Sequence, residues 1–286
     1  MKHFRVQVIP TAVSLANFLC GFASITYSLK ATSLMAKGEH EGALYLAAML
    51  ICFAMVADLL DGKIARMTGG DSAFGAEIDS LSDVVSFGVA PAVLVVALAK
   101  THPFWAAGRL HRAAWILAGA YAAFAAMRLA RYNVEKNVQP GERFTGLPSP
   151  AAAGAIVSLA LLYLGLKSQD EFLRGLALAR HAHWVIAALP IYTLLVGVLM
   201  VTRVGYSHLG RKVLSGRKPF PHLVVLALIC IIAFIQLETT LAVGFTVYVL
   251  AGVVFELVAL VSGRAEGDAD EAPDDARPEV APEAPK

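Results

Sequence analysis

Long apolar runs alternate with short polar stretches along almost the whole chain. About eight runs are long enough to cross a bilayer, since a helical span needs about 20 residues. They cover residues 9–29, 43–64, 74–99, 113–131, 150–166, 183–201, 220–235 and 240–261. The seventh is the shortest. The first is too long for the apolar part of a signal peptide and lacks a cleavage site, so it reads as a span. No internal repeat is evident. The pattern predicts an all-α fold, a polytopic transmembrane bundle. After Gly263 it stops: the chain turns to Ala, Pro, Glu and Asp without apolar periodicity. Such a segment cannot bury enough surface to fold. The expected division is a membrane-embedded domain over 1–262 and a disordered tail over 263–286.

Composition agrees. Of 286 residues, 57% are hydrophobic and 16% charged, against about 45–50% and about 25% in soluble domains. Mean hydropathy is +0.64. A net charge of +2 says little about partners, because the charges are segregated by region, and no nucleic-acid partner is expected. Cys20, Cys52 and Cys230 lie scattered in apolar runs and read as small core residues. With the N-terminus placed in the cytoplasm, the inside segments before the tail carry thirteen Lys and Arg, and the outside loops eight. That bias puts both termini inside. His102, His111, His181 and His183 then fall at the outer side as interfacial residues. Trp105, Trp115 and Trp184 would form an aromatic belt there. The basic loop with Arg211, Lys212, Arg217 and Lys218 reads as a topology anchor.

Four aspartates break the apolar pattern, in the arrangement Asp58-x2-Asp61-Gly62-x2-Ala65-Arg66-x8-Gly75-x3-Asp79-x3-Asp83. An ionised carboxylate at membrane depth costs about 2.5–3.5 kcal/mol even on lenient insertion scales. A divalent cation is the simplest common cause, since hard cations take carboxylate oxygens and cancel their charge. Asp58 and Asp61 are three apart and share a helix face, as do Asp79 and Asp83, four apart. A short turn through Thr68, Gly69, Gly70, Asp71 and Ser72 makes the two helices antiparallel neighbours, so the pairs can face each other. That geometry suits two metal ions, which together can orient a phosphate and hold attacking and leaving oxygens. Gly62 and Gly75 each cost a helix about 1 kcal/mol relative to Ala, which is reasonable where a ligand approaches the backbone. Arg66 can clamp a phosphate, and Ser72 can donate another hydrogen bond. The bland alternative is solvated helix-end carboxylates, which suits Asp71. A proton or cation pathway explains the acids but not the glycines and Arg66.

This spacing resembles, residue for residue, the signature of the CDP-alcohol phosphatidyltransferases, membrane enzymes that displace CMP from a CDP-linked lipid with an alcohol. Three more segments are similar to the bacterial and archaeal phosphatidylserine synthase branch. They are Ile9-Pro10 with Ser14-Leu-Ala-Asn17-Phe-Leu-Cys-Gly-Phe22, then Asp83-Val-Val-Ser86-Phe-Gly-Val-Ala-Pro91, then Arg128-Leu-Ala-Arg131-Tyr-Asn133 with Phe144-Thr-Gly-Leu-Pro-Ser-Pro150. The resemblance implies a six-helix core plus two C-terminal helices. It implies two Mg²⁺ or Mn²⁺ ions on Asp58, Asp61, Asp79 and Asp83, with Asp83 also the general base for the acceptor hydroxyl. Gly62, Arg66, Ser72 and Gly75 would line the CDP site. The substrates would be CDP-diacylglycerol and L-serine, the products phosphatidylserine and CMP, and the assembly a homodimer in a bacterial inner membrane.

Residues beyond the motif carry less. Arg128 and Arg131 can bind the serine carboxylate or the substrate phosphates, or serve as positive-inside anchors. Ser86 and Asn133 are candidate head-group contacts. Asn17 is polar in an apolar helix and either contacts the nucleotide or bonds a neighbouring helix. Other acceptors (glycerol 3-phosphate, inositol phosphate, choline) stay open, because Arg128, Arg131 and Arg143 supply part of the positive charge a phosphorylated acceptor wants. A cation or proton transporter is the rival from another class.

Overall fold

The computed structural model describes residues 8–68, 73–106, 108–138, 146–167, 182–202 and 236–261. The expected span at 220–235, the tail, the turn at 69–72 with Ser72, the basic loop and Cys230 lie outside the described residues.

The order is α1 (Val8–Leu34), a 3₁₀ turn (Met35–Lys37), α2 (His40–Thr68), α3 (Ala73–Asp83), a π turn (Val84–Val89), α4 (Ala90–Ala99), α5 (Gly108–Val138), α6 (Ser149–Lys167), α7 (Ala182–Val201) and α8 (Leu237–Val261). No strand occurs among the described residues. α3, the π turn and α4 form one crossing, Phe74–Ala99, so the described residues hold seven helices long and apolar enough to span a membrane. The protein is therefore an integral membrane protein. α5 runs well beyond the expected 113–131 at both ends, so Asn133 is helical.

The α3–α4 crossing and α6 form the centre. Phe87, Leu94, Leu98, Ile156 and Leu161 are fully buried there, with Ala47, Ala48 and Ala54 of α2 and Ala152 and Ala153 of α6. Lipid is as apolar as leucine, so packing rather than water exclusion holds such helices together, and small residues let backbones approach. Leu19, Phe22, Phe53, Leu59 and Ile116 point outward and are exposed, as lipid-facing side chains must be.

Close contacts fix both ends of the bundle. Gly146 has φ 96°, and a Cβ there would lie 2.5 Å from the Met200 carbonyl oxygen, so only glycine fits. Next to it the Leu147 amide donates to the Leu199 carbonyl at 3.1 Å, which seats the start of α6 against the end of α7. At the opposite end Lys167 pairs with Glu41 at 3.3 Å. Close by, the Tyr45 hydroxyl donates to Glu238 at 2.9 Å. α7 thus ends where α6 begins, whereas α8 begins where α6 ends.

The aromatic belt needs a correction. Trp115 and Trp184 are exposed, but Trp105 is buried and its indole N–H donates to the Ala187 carbonyl at 2.9 Å. It packs with Ala99 and Ala114 and pins the 100–106 loop onto α7. A buried indole needs an acceptor, and the Ala187 carbonyl within α7 supplies it.

Candidate active site

All four aspartates sit at the end of the bundle where α6 begins. α2 carries Asp58 and Asp61; α3 carries Asp79 and Asp83. One carboxylate oxygen from each of Asp58, Asp79 and Asp83 lies within 4.8 Å of the others. Asp61 stands outside that group. It is buried, its Oδ2 accepts a hydrogen bond from the Ser14 hydroxyl, and its Oδ1 has no hydrogen-bond partner.

α1 supplies the second layer. Ser14 and Asn17 are three apart and share one face. Asn17 is fully buried and its Nδ2 donates to Asp83 Oδ1 at 3.1 Å, while its own Oδ1 is buried without a partner. Of its two expected roles, Asn17 thus makes the helix-to-helix bond. One turn further, Gly21 meets the π turn: a Cβ there would fall on the Ser86 hydroxyl and 2.7 Å from the Ser86 Cα.

The π turn starts directly after Asp83. A widened turn displaces carbonyls from the regular ladder, and such turns favour functional sites. One carbonyl of the turn is claimed by α5, and one hydroxyl of the turn reaches α1. The buried Tyr121 hydroxyl of α5 donates to the Phe87 carbonyl at 2.7 Å, and Ser86 donates to the Asn17 carbonyl at 2.9 Å. Ser86, expected as a head-group contact, is fully buried in this helix contact.

Arg128 of α5 is half-buried and donates from Nη1 to the Ser149 hydroxyl at 3.0 Å; its Nε is buried without a partner. Its charge acts on Asp83, whereas Asp58 and Asp79 repel Asp83. Arg131 is half-buried one turn on. Asn133, the other expected head-group contact, donates from Nδ2 to the Ser80 hydroxyl of α3 at 3.0 Å. Gly62 is exposed, and a Cβ there would meet nothing within 4 Å. Gly75 is half-buried on α3. The backbone of Arg66 continues α2, but its side chain lies outside the described residues.

Three carboxylates this close repel one another, a divalent cation would relieve that repulsion, and their oxygens are the hard donors that Mg²⁺ and Mn²⁺ prefer. The buried, partnerless oxygens of Asp61 and Asn17 fit the same demand, because an acceptor removed from water must find a positive partner. The arrangement can hold a divalent metal.

Ser14, Ser80, Tyr121 and Ser149 were not singled out by sequence reasoning. A signal for Ser14 exists: Ser14, Asn17, Gly21, Ser24 and Ser28 recur at helical spacing in an apolar helix, and all five are buried.

The CDP-diacylglycerol–serine O-phosphatidyltransferase of Helicobacter pylori (strain ATCC 700392 / 26695) is 28% identical over 257 residues, which are 90% of this chain and 94% of that protein. The enzyme of that name from Mycobacterium leprae is 34% identical over 169 residues, 57% of this chain and 50% of that one. The archaetidylserine synthase of Methanothermobacter thermautotrophicus is 37% identical over 156 residues, covering 54% and 58%. The chain thus spans about half the length of the mycobacterial relative and nearly all of the Helicobacter one. Residues 7–196 match the CDP-alcohol phosphatidyltransferase profile, from α1 into α7 and through every aspartate of the site, and on that match the chain belongs to the CDP-alcohol phosphatidyltransferase family.

Proposed function

We propose that this protein transfers the phosphatidyl group of CDP-diacylglycerol to the hydroxyl of L-serine, giving phosphatidylserine and CMP. The observation that carries the reading is the similarity to the Helicobacter serine O-phosphatidyltransferase over 90% of the chain. The carboxylate group at Asp58, Asp79 and Asp83 supports the chemistry, in a family of metal-dependent transferases.

Asp58, Asp79 and Asp83, with Asp61 beside them, would hold two divalent ions, Mg²⁺ or Mn²⁺. Bound there, the metal neutralises the carboxylates and stabilises charge on the diphosphate and on departing CMP. The rest falls to the chain. Asp83 takes the proton of the serine hydroxyl, a poor nucleophile at neutral pH. The serine oxygen bonds to the lipid-linked phosphorus as the bond from that phosphorus to the CMP oxygen breaks. Asn17 holds one oxygen of Asp83 and leaves the other for this work. Gly62, Arg66, Ser72 and Gly75 line the CDP moiety, and the open space beside Gly62 suits a nucleotide lying close to the backbone. Arg128 and Arg131 bind the serine carboxylate or the lipid phosphate.

The enzyme would be a homodimer in the bacterial inner membrane, with the aspartate end of the bundle and both termini cytoplasmic, as the Lys and Arg bias favours. The test is CMP release by purified protein from CDP-diacylglycerol with Mg²⁺ or Mn²⁺, comparing L-serine, glycerol 3-phosphate, inositol phosphate and choline. Serine-dependent release that disappears in Asp83→Asn is the expected result. Release with a different acceptor moves the specificity. No release with any acceptor, from folded metal-bound protein, sinks the reading in favour of transport.

A further inference from the structure

Arg128 is a long cation inside an apolar bundle, and one neighbour fixes where its guanidinium stands. Hydrogen bonds set the register of α5 against the crossing that carries Asp83. The Tyr121 hydroxyl reaches the Phe87 carbonyl at 2.7 Å, and the Asn133 amide reaches the Ser80 hydroxyl at 3.0 Å. Near the first of these, a Cβ on Gly88 would lie 3.2 Å from the Ala125 Cβ. Asp83 falls between Ser80 and Phe87 on one element. Arg128 falls between Tyr121 and Asn133 on the other, one turn beyond Ala125. The register thus brings Arg128 to the level of Asp83.

The third element is α6. Arg128 Nη1 donates to the Ser149 hydroxyl oxygen at 3.0 Å, and Ser149 is 1% exposed. The place of Ser149 is fixed from both sides. Before it, Gly146 passes close to the Met200 carbonyl, and the Leu147 amide is tied to the Leu199 carbonyl. After it, the Ala152 amide donates to the Pro148 carbonyl at 2.9 Å and closes the first turn of α6. An arginine has many rotamers, and one short bond to a rigid partner selects among them. That bond uses only part of the guanidinium, which carries five N–H donors. Nε is buried without a partner, so the planar fork keeps a donor for an anion.

Resting on the transferase reading above, we propose that Ser149 is a positioning residue for the acceptor: it aims the Arg128 guanidinium at the carboxylate of L-serine. Ser149 itself touches no substrate. The chemistry of serine selects its carboxylate over the lipid phosphate. Its hydroxyl oxygen has to stand at Asp83 to lose its proton. Its carboxylate follows two carbon atoms later, within reach of a cation at the same level on the adjoining helix. The phosphates of the donor belong with the metal-binding carboxylates.

The test compares the full-length wild type with Ser149→Ala, Ser149→Cys and Ser149→Thr by CMP release and thermal melts. Alanine removes the acceptor. Cysteine keeps the volume with only a weak sulfur acceptor, so it reports where the alanine variant does not fold. Threonine keeps the hydroxyl. Losing a hydrogen bond to a charged group that binds substrate should raise KM for L-serine about tenfold in Ser149→Ala and Ser149→Cys. In the same variants kcat and KM for CDP-diacylglycerol should stay within about threefold of wild type, with an unchanged melt. Ser149→Thr should restore the serine KM. An unchanged serine KM overturns the proposal. So does a donor KM that rises as much as the serine KM, which would give Arg128 to the lipid phosphate. So does a Ser149→Thr enzyme as weak for serine as the alanine variant. A lower melt with both KM values unmoved would reduce the bond to helix packing and overturn it too. Wild-type protein that releases no CMP with serine sinks the transferase reading and this role with it. An active wild type beside an unaltered Ser149→Ala sinks this role alone.

Discussion

Asn17 and Asp83, 66 positions apart in sequence, are joined by a 3.1 Å hydrogen bond from the amide of the first crossing to a carboxylate oxygen of the third. The donor is fully buried, so water cannot replace it. A hydrogen bond to a charged group is worth about 1.5–3 kcal/mol. Asn17→Ala should therefore lower kcat by about ten- to a hundredfold, taking ~1.4 kcal/mol per decade, because Asp83 loses the contact that orients it. KM for serine should move only a few fold. The check is steady-state CMP release across serine concentrations. An unchanged kcat would mean that Asp83 is held in place without Asn17.

Ser14 makes the corresponding bond to Asp61. Asp61 stands outside the three-carboxylate group, so the ligand role proposed for it depends on this contact to orient the carboxylate. Ser14→Ala leaves a buried carboxylate without its donor, at about 1–3 kcal/mol or more for a charged group. The metal concentration for half-maximal activity should rise several fold, and activity should recover at high metal. A metal titration of CMP release checks this. An unmoved midpoint would indicate that Asp61 is not a ligand.

The Tyr121 hydroxyl satisfies the Phe87 carbonyl, whose helical donor four residues on would be Pro91, which has no N–H. Tyr121→Phe keeps the ring and orphans the Phe87 carbonyl in a fully buried place, again at about 1–3 kcal/mol. The variant should unfold several degrees lower in a thermal melt. Activity should fall as well, since the turn begins directly after Asp83. A variant with wild-type melting would mean that the turn holds its shape without Tyr121.

Spans and acids were legible in the sequence for simple reasons. Twenty apolar residues in a row have few other uses, and clustered aspartates inside them need a cation. What α1 does was less legible. Asn17 stood out as a polar residue, but its partner depends on a crossing between helices far apart in sequence, which periodicity does not encode. Trp105 was misplaced because an indole near a span end reads as a belt residue, and only the fold of the 100–106 loop turns it inward. The π turn leaves no mark in composition: Val84-Val-Ser-Phe-Gly-Val89 reads as ordinary helix.

Gly21 and Gly62 look alike in the sequence, each a glycine within a span, but the structure separates their duties. A Cβ on Gly21 would strike the Ser86 hydroxyl and lie 2.7 Å from its Cα. Since that obstacle includes backbone, α1 must move off the π turn. Overpacking of this kind costs about 1–3 kcal/mol, and the shift also pulls Asn17 from Asp83. A Cβ on Gly62 meets nothing within 4 Å, and replacing an interior helical glycine by alanine even favours the helix by up to about 1 kcal/mol. Gly21→Ala should therefore melt several degrees lower and lose activity in proportion. Gly62→Ala should melt at or above the wild-type temperature yet show a KM for CDP-diacylglycerol raised about tenfold or more, because under the proposed function its methyl group stands where the nucleotide would approach. Thermal melts and donor titrations on the two variants check both statements. A Gly62→Ala enzyme with normal donor KM would remove the nucleotide from that face of α2.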